Sequence, residues 1–205
     1  RRPLPRRRKN NDKTCAGARV VIRSSRLSLR NWQESDRDTF AALNATPEVM
    51  WDLGGSLDRN ESDAKFDRYV AAFDQHGFCR WALEDLDGKF LGSAGVMPSR
   101  PGHPLGPHAD IGWRLVRPAW GRGYATEAAR ASLRDVFERV NLKEVLAYTS
   151  ADNVRSQAVI KRLSMQRAAT LDYSEPLGKA VWHGLVWMVR RDDSLDLDHS
   201  NDRAR

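Results

Sequence analysis

The sequence predicts a mixed α/β domain built around one sheet. Three observations carry that expectation. Strand-length apolar runs alternate with helix-period patterns along the chain. A glycine turn, Gly121-Arg122-Gly123, joins one such run to a clear amphipathic helix. Turn signals such as Asp87-Gly88 bound short strands rather than long helices.

The elements follow in order β-α-α-β-β-β-α-β-α-β-β. Leu27, Leu29 and Trp32 mark a first strand, and Ser35-Asp36 precedes a helix carrying Phe40 and Leu43. The stretch from Ala45 to Asn60, with Pro47, Gly54 and Gly55, reads as irregular. Phe66, Tyr69, Val70 and Phe73 give a second helix over 62–76, which Gly77 is placed to end. Cys79 to Leu83 and Phe90 to Met97 form a hairpin about Asp87-Gly88, and Ile111 to Val116 is a further strand stopped by Pro118. Ala125, Ala129, Leu133, Val136, Phe137 and Val140 recur at helical spacing. Val145 to Thr149 is a strand, and Asp152 or Asn153 caps a helix with Val159, Ile160 and Leu163 on its inner face. Residues 166–173 and 181–190 read as a last hairpin joined through Pro176 and Gly178.

Length and charge bound the function. The chain has 205 residues, which suits one domain, and a formal net charge of +7. Residues 1–23 hold nine Lys/Arg and one Asp, whereas 24–205 hold 25 Lys/Arg against 26 Asp/Glu. The basicity is therefore an arm, 1–23, expected to be disordered and able to touch a nucleic acid or the ribosome weakly. The body is 24–191, and 192–205 reads as an acidic, disordered tail. No apolar run reaches the roughly 18–20 residues of a membrane span, so a cytoplasmic protein is expected. Cys15 and Cys79 form no CxxC, and the five histidines form no HxH or HExxH, so no metal is expected. His103 and His108 read as exposed loop residues.

A strand, a glycine turn and a helix make an anion site. Glycine lets backbone approach a phosphate, and the first helical turn presents free N–H groups. A P-loop is excluded because no Gly-Lys-Ser/Thr occurs. A dinucleotide fingerprint is disfavoured because Thr126 stands where a third small residue belongs.

The stretch from Ile111 to Ala128, with Trp120-Gly121-Arg122-Gly123-Tyr124-Ala125-Thr126-Glu127-Ala128 at its end, resembles the acetyl-CoA motif of GNAT N-acetyltransferases, and within them the RimJ/RimL-like branch. Asn153-Val154-Arg155-Ser156-Gln157-Ala158-Val159 is similar to the family's N-x-x-S-x-x-V segment, and Thr46 to Met50 to that branch's loop. The resemblance implies a single GNAT-like domain whose central, mostly antiparallel sheet contains a splayed parallel strand pair flanked by helices. It implies an enzyme that moves an acetyl group from acetyl-CoA directly to a primary amine. The acceptor would be a protein N-terminal amine or a small amine such as an amino acid, polyamine or antibiotic. Cofactor contacts fall on Leu115, Val116, Trp120, Gly121, Arg122, Gly123, Tyr124, Ala125, Thr126, Asn153 and Ser156, with the backbone of Leu115 and Val116 serving pantetheine. Asp110 is the candidate base, with an exposed loop carboxylate as the competing reading. Ile160 occupies the position where many superfamily members carry a tyrosine, so Ser156 is the candidate partner of the leaving thiolate. Trp51, Trp81, Trp113 and Trp182 are candidates to line the acceptor pocket. Family members are often homodimers. A non-catalytic acyl-CoA-binding protein and an RNA- or ribosome-associated protein are the alternatives from other classes.

Overall fold

A computed structural model describes residues 20–52, 54–177 and 180–195. The first nineteen residues of the basic arm and residues 196–205 of the acidic tail lie outside the described residues, as does Gly178.

The chain folds as a mixed α/β domain. Strands β1 (Val21–Arg23), β2 (Leu27–Arg30), β3 (Arg80–Asp85), β4 (Phe90–Pro98), β5 (Ala109–Leu115), β6 (Glu144–Thr149), β7 (Gln166–Arg167), β8 (Tyr173–Leu177) and β9 (Ala180–Arg190) form one sheet. Their order is β1-β2-β3-β4-β5-β6-β9-β7, with β8 pairing β9. Every pairing is antiparallel except β5–β6, which is parallel and touches in register at a single pair, Asp110 and Leu146. Beyond that pair the two strands diverge, leaving a V-shaped notch inside the sheet.

Helices α1 (Arg37–Ala45), α2 (Pro47–Met50) and α3 (Arg59–His76) pack with β2–β4 around Trp32, Phe40, Phe66 and Trp81. Helices α4 (Tyr124–Glu138) and α5 (Val154–Arg162) pack with β5, β6 and β9 around Ile111, Val136, Val145 and Ile160. A short α6 (Arg191–Leu195) closes the described chain.

Several boundaries differ from the sequence expectation, each for a local reason. The sheet starts at Val21, so residues 20–23 belong to the domain and not to the arm. Val20 N–H donates to the Asn31 side chain, and β1 pairs β2 through Val21 and Arg30, contacts no local pattern announces. Likewise Arg191 N–H donates to the Lys143 carbonyl, which carries order past 191. Helix α3 begins three residues early because Asp58 and Glu61 form a reciprocal capping box. Gly77, at φ 75°, ends it as expected. The last hairpin shifts: β7 is only two residues, and Pro176 lies within β8, opposite Val181, rather than in the turn. That strand pairs on one side only, which is where a proline is tolerated.

Candidate active site

Trp120 leads into the glycine turn. Its indole Nε1 donates to the Leu115 carbonyl at 2.8 Å, tying the turn to the end of β5. Its ring lies between two guanidinium groups, Arg117 at 4.7 Å and Arg155 at 4.8 Å from the centroid. Gly121 and Gly123 take φ 73° and 79°, a left-handed conformation that costs other residues energy. Gly123 is the N-cap of α4 and offers no capping side chain, so the first N–H groups of the helix face the groove uncapped. The first bond of the helix runs from Glu127 N–H to the Gly123 carbonyl at 3.1 Å.

Glu127 explains how the turn is held. Its carboxylate accepts from the Ser24 hydroxyl at 2.8 Å, the Ser25 hydroxyl at 3.1 Å, Arg26 N–H at 2.9 Å and Arg26 Nε at 2.8 Å. Arg26 in turn donates to the Arg122 carbonyl at 3.1 Å and lies over the Tyr124 ring. The loop between β1 and β2 is therefore clamped against the glycine turn. Burial pushes the Glu127 carboxyl up, but the hydrogen bonds from Ser24, Arg26 and Ser25 outweigh it and hold its pKa below the ordinary value. A depressed carboxylate stabilises the fold above its unfolded pKa, about 4.3, and loses that contribution as pH falls through the lower folded value. The stability gap between wild type and Glu127→Gln is thus expected to be constant from neutral pH down to about 4.3 and to shrink below it. Denaturant melts across that range test this, and a gap that widens on acidification would refute it.

A groove of about 1420 Å³ runs along this turn, lined among others by Leu115, Gly121, Gly123, Ala125, Arg155 and Ser156. A second, smaller pocket of about 160 Å³ opens beside the notch, lined among others by Asp110, Tyr148, Ser156, Ile160, Tyr173 and Trp182. Asp52, Trp113, Arg114 and Ser156 line both, so the two cavities meet there.

The residues expected at the site fall as follows. Trp120, Gly121, Gly123, Tyr124, Ala125 and Thr126 line the groove. Arg122 is exposed on the turn and contributes its carbonyl to Arg26. Leu115 lines the groove. Val116 N–H donates to the Leu91 carbonyl at 2.9 Å and its carbonyl accepts from Ala119 N–H at 2.9 Å. The alternation along β5 then turns the main chain of Trp113 and Leu115 toward the notch. Sequence patterning gives alternation but not its phase.

Asn153 caps α5, its Oδ1 accepting from Ser156 N–H at 3.0 Å, and its Nδ2 donates to Asp52 from the α2–α3 loop. Ser156 stands in the first turn of α5, at the junction of the two cavities.

Asp110 is no exposed loop carboxylate. It is 5% exposed, lies within β5 and is ion-paired to Arg80 of β3. Gly112 makes room for this pair, because a methyl group there would overlap the Arg80 guanidinium. Tyr148 of β6 stands beside it; burial, then the Asp110 charge, pushes its phenol pKa upward, against a smaller pull from Arg80, so it stays protonated.

The tryptophans divide. Trp113 and Trp182 line the small pocket, Trp51 is 52% exposed at the groove, and Trp81 is fully buried core. His103 is also corrected: it is buried, 4.6 Å from the His108 ring, with its Nε2 3.2 Å from the Tyr173 hydroxyl. Sequence reading missed Arg80, Arg114, Tyr148 and Tyr173, which arrive from four different strands and form no local motif. Among the described residues no group of three His, Cys, Asp or Glu is placed to hold a metal ion. None of the described helices is long and apolar enough to cross a membrane.

An uncapped helix start beside a notched, mostly antiparallel sheet makes an anion-binding groove, and a second pocket meets it. Residues 26–166 match the family model described as an acetyltransferase (GNAT) domain, and the chain belongs to that family. It is an N-acetyltransferase, and the family's fold uses acetyl-CoA. Among relatives, the chain is 28% identical over 156 residues to the uncharacterized protein YkkB of Bacillus subtilis, covering 75% of this chain and 90% of that one. It is 27% identical over 160 residues to the FsC-acetyl coenzyme A-N(2)-transacetylase of Aspergillus fumigatus, covering 75% and 68%. Among solved structures, an acetyltransferase from Agrobacterium tumefaciens superposes with a TM-score of 0.73 at 26% identity, over 87% of this chain and 98% of that one. The spermidine N-acetyltransferase of Vibrio cholerae, solved with CoA and spermine, shares the fold at a TM-score of 0.67 and 14% identity, over 84% and 99%.

Proposed function

We propose that the chain transfers acetyl from acetyl-CoA to a small primary amine. The size of the second pocket, about 160 Å³, carries this reading. A folded or extended protein N-terminus needs a wide approach, whereas this pocket is narrow and is lined by Asp52 from the α2–α3 loop and by Tyr173, Glu175, Leu177 and Trp182 of the β8–β9 hairpin. The loop and the hairpin lie close, since a methyl group on Gly54 would come within 2.9 Å of Leu177 Cδ1. The Trp120–Ala128 segment supports a RimJ/RimL-like placement of the cofactor half.

In this reading the carrier's pyrophosphate rests on the N–H groups of Gly121 to Thr126, with Arg155 and Arg117 adding charge. Pantetheine lies in the notch against the main chain of Trp113 and Leu115. The amine nitrogen attacks the thioester carbon from the small pocket, forming the C–N bond as the C–S bond breaks. The nitrogen's proton passes toward Asp110, directly or through water, and the Ser156 hydroxyl hydrogen-bonds the departing thiolate. Ile160 is 1% exposed and apolar, so it offers the sulfur nothing.

Ser156→Ala is expected to lower kcat by about tenfold or more while acetyl-CoA affinity stays within a few-fold. Unchanged kcat would remove the hydroxyl from the reaction. The reading as a whole is tested by free-thiol release from acetyl-CoA over a panel of small amines and peptides. Faster release with peptides than with every small amine would overturn it.

A further inference from the structure

We infer that the acceptor carries a carboxylate close to its amine, held by Arg114; this rests on the small-amine reading above. Five charged side chains line the small pocket: Asp52, Arg80, Asp110, Arg114 and Glu175. Arg80 is paired with Asp110, Glu175 with Arg100, and Asp52 accepts from the Asn153 amide. Arg114 differs from all of them. Among the described residues it meets no carboxylate within ion-pair distance, and its Nη1 is turned to the Met50 thioether, a weak acceptor. A guanidinium has five N–H donors, so most of its capacity is unspent. Burial pushes the Arg114 pKa below its ordinary value, Tyr69 and Asp52 pull it up, and Arg80 pushes it further down. An uncompensated cation in such a place is a setting for an incoming anion.

A second orphan belongs to a residue that lines the same pocket. Trp182 Nε1, from β9, is buried and has no hydrogen-bond partner. A buried donor without an acceptor is uncommon in a native fold. The position of Arg114 sets the spacing. It lines both cavities, together with Ser156, so a carboxylate bound there lies beside the reacting thioester and not at the far end of a long acceptor. The substrate class is therefore a small amino acid. Polyamines, which carry no anion, leave Arg114 without a partner.

The test compares matched acceptors with the intact protein: glycine, β-alanine, serine and methionine against their carboxamides. The acids are expected to exceed the amides in kcat/KM by about tenfold or more, and Arg114→Gln to collapse that ratio toward one, mainly through KM of the acids. Arg114→Lys, which keeps the charge, is expected to restore part of the ratio. Amides that match or beat the acids on wild type overturn the inference. So does an Arg114→Gln variant that lowers kcat equally for both, which would assign Arg114 to the transition state. Calorimetric titration of the same acids and amides into the CoA-saturated protein separates the two levels. Acid binding that needs Arg114, without turnover of any amine, keeps this inference and sinks the transferase reading. No binding or turnover of any acid sinks the inference while leaving transfer to other amines standing.

Discussion

Asp110→Asn is expected to lower turnover by about 10²–10⁴-fold while acetyl-CoA affinity changes by no more than a few-fold. The asparagine keeps shape and hydrogen bonding but cannot take a proton from the attacking amine. The same change has a structural cost, because Asp110 is the ion-pair partner of Arg80, whose side chain is 18% exposed. Leaving one member of a buried pair uncompensated costs up to about 3–5 kcal/mol. The two effects are separable. Adding Arg80→Met removes the stranded cation, so the double variant should regain stability without regaining turnover. Asp110→Asn retaining wild-type turnover would reduce Asp110 to a structural anchor. A double variant that recovers turnover would show that the loss came from misfolding of the pocket.

Gly92→Ala should be the most destabilising single methyl addition in the sheet, at about 3 kcal/mol or more, read as a lowered denaturant midpoint. Gly92 has φ 138°, a conformation L side chains rarely adopt. A Cβ there would overlap the Arg114 carbonyl oxygen and come within 2.8 Å of Leu115 Cα. These are backbone atoms of β5, which has no room to yield without widening the β4–β5 pairing. The clash lies next to the notch, so cofactor affinity should fall together with stability. A variant as stable as wild type would mean that β5 moves freely, contrary to its seven-residue register with β4.

Much of the fold was legible because its signals are local. The amphipathic helix after Gly123, the Gly77 helix end, the Asp87-Gly88 hairpin and the Asn153 cap each follow from a few neighbouring side chains. The glycine turn and the helix start after it were legible for the same reason: they are contiguous. The acceptor half was not. Arg80 and Asp110 are thirty residues apart and meet only because β3, β4 and β5 are adjacent. Tyr148 and Tyr173 read as ordinary strand aromatics until β6 and the β8–β9 hairpin bring them beside His103. Glu84 joins Asp36 in pairing Arg30, which is 9% exposed, though the three residues lie on separate segments. Such partners are set by sheet order, which no single segment encodes. The phase of β5 is set on the same ground, by its register with β4.

The notch between β5 and β6 has a consequence for how this chain varies over evolutionary time. A ligand that docks there meets peptide groups, which every residue type supplies alike. Substitution along both strands can then proceed without erasing recognition, provided each strand keeps its path. The acceptor half, built from side chains of separate strands, has no such insulation, and is where relatives of one fold are free to part in substrate.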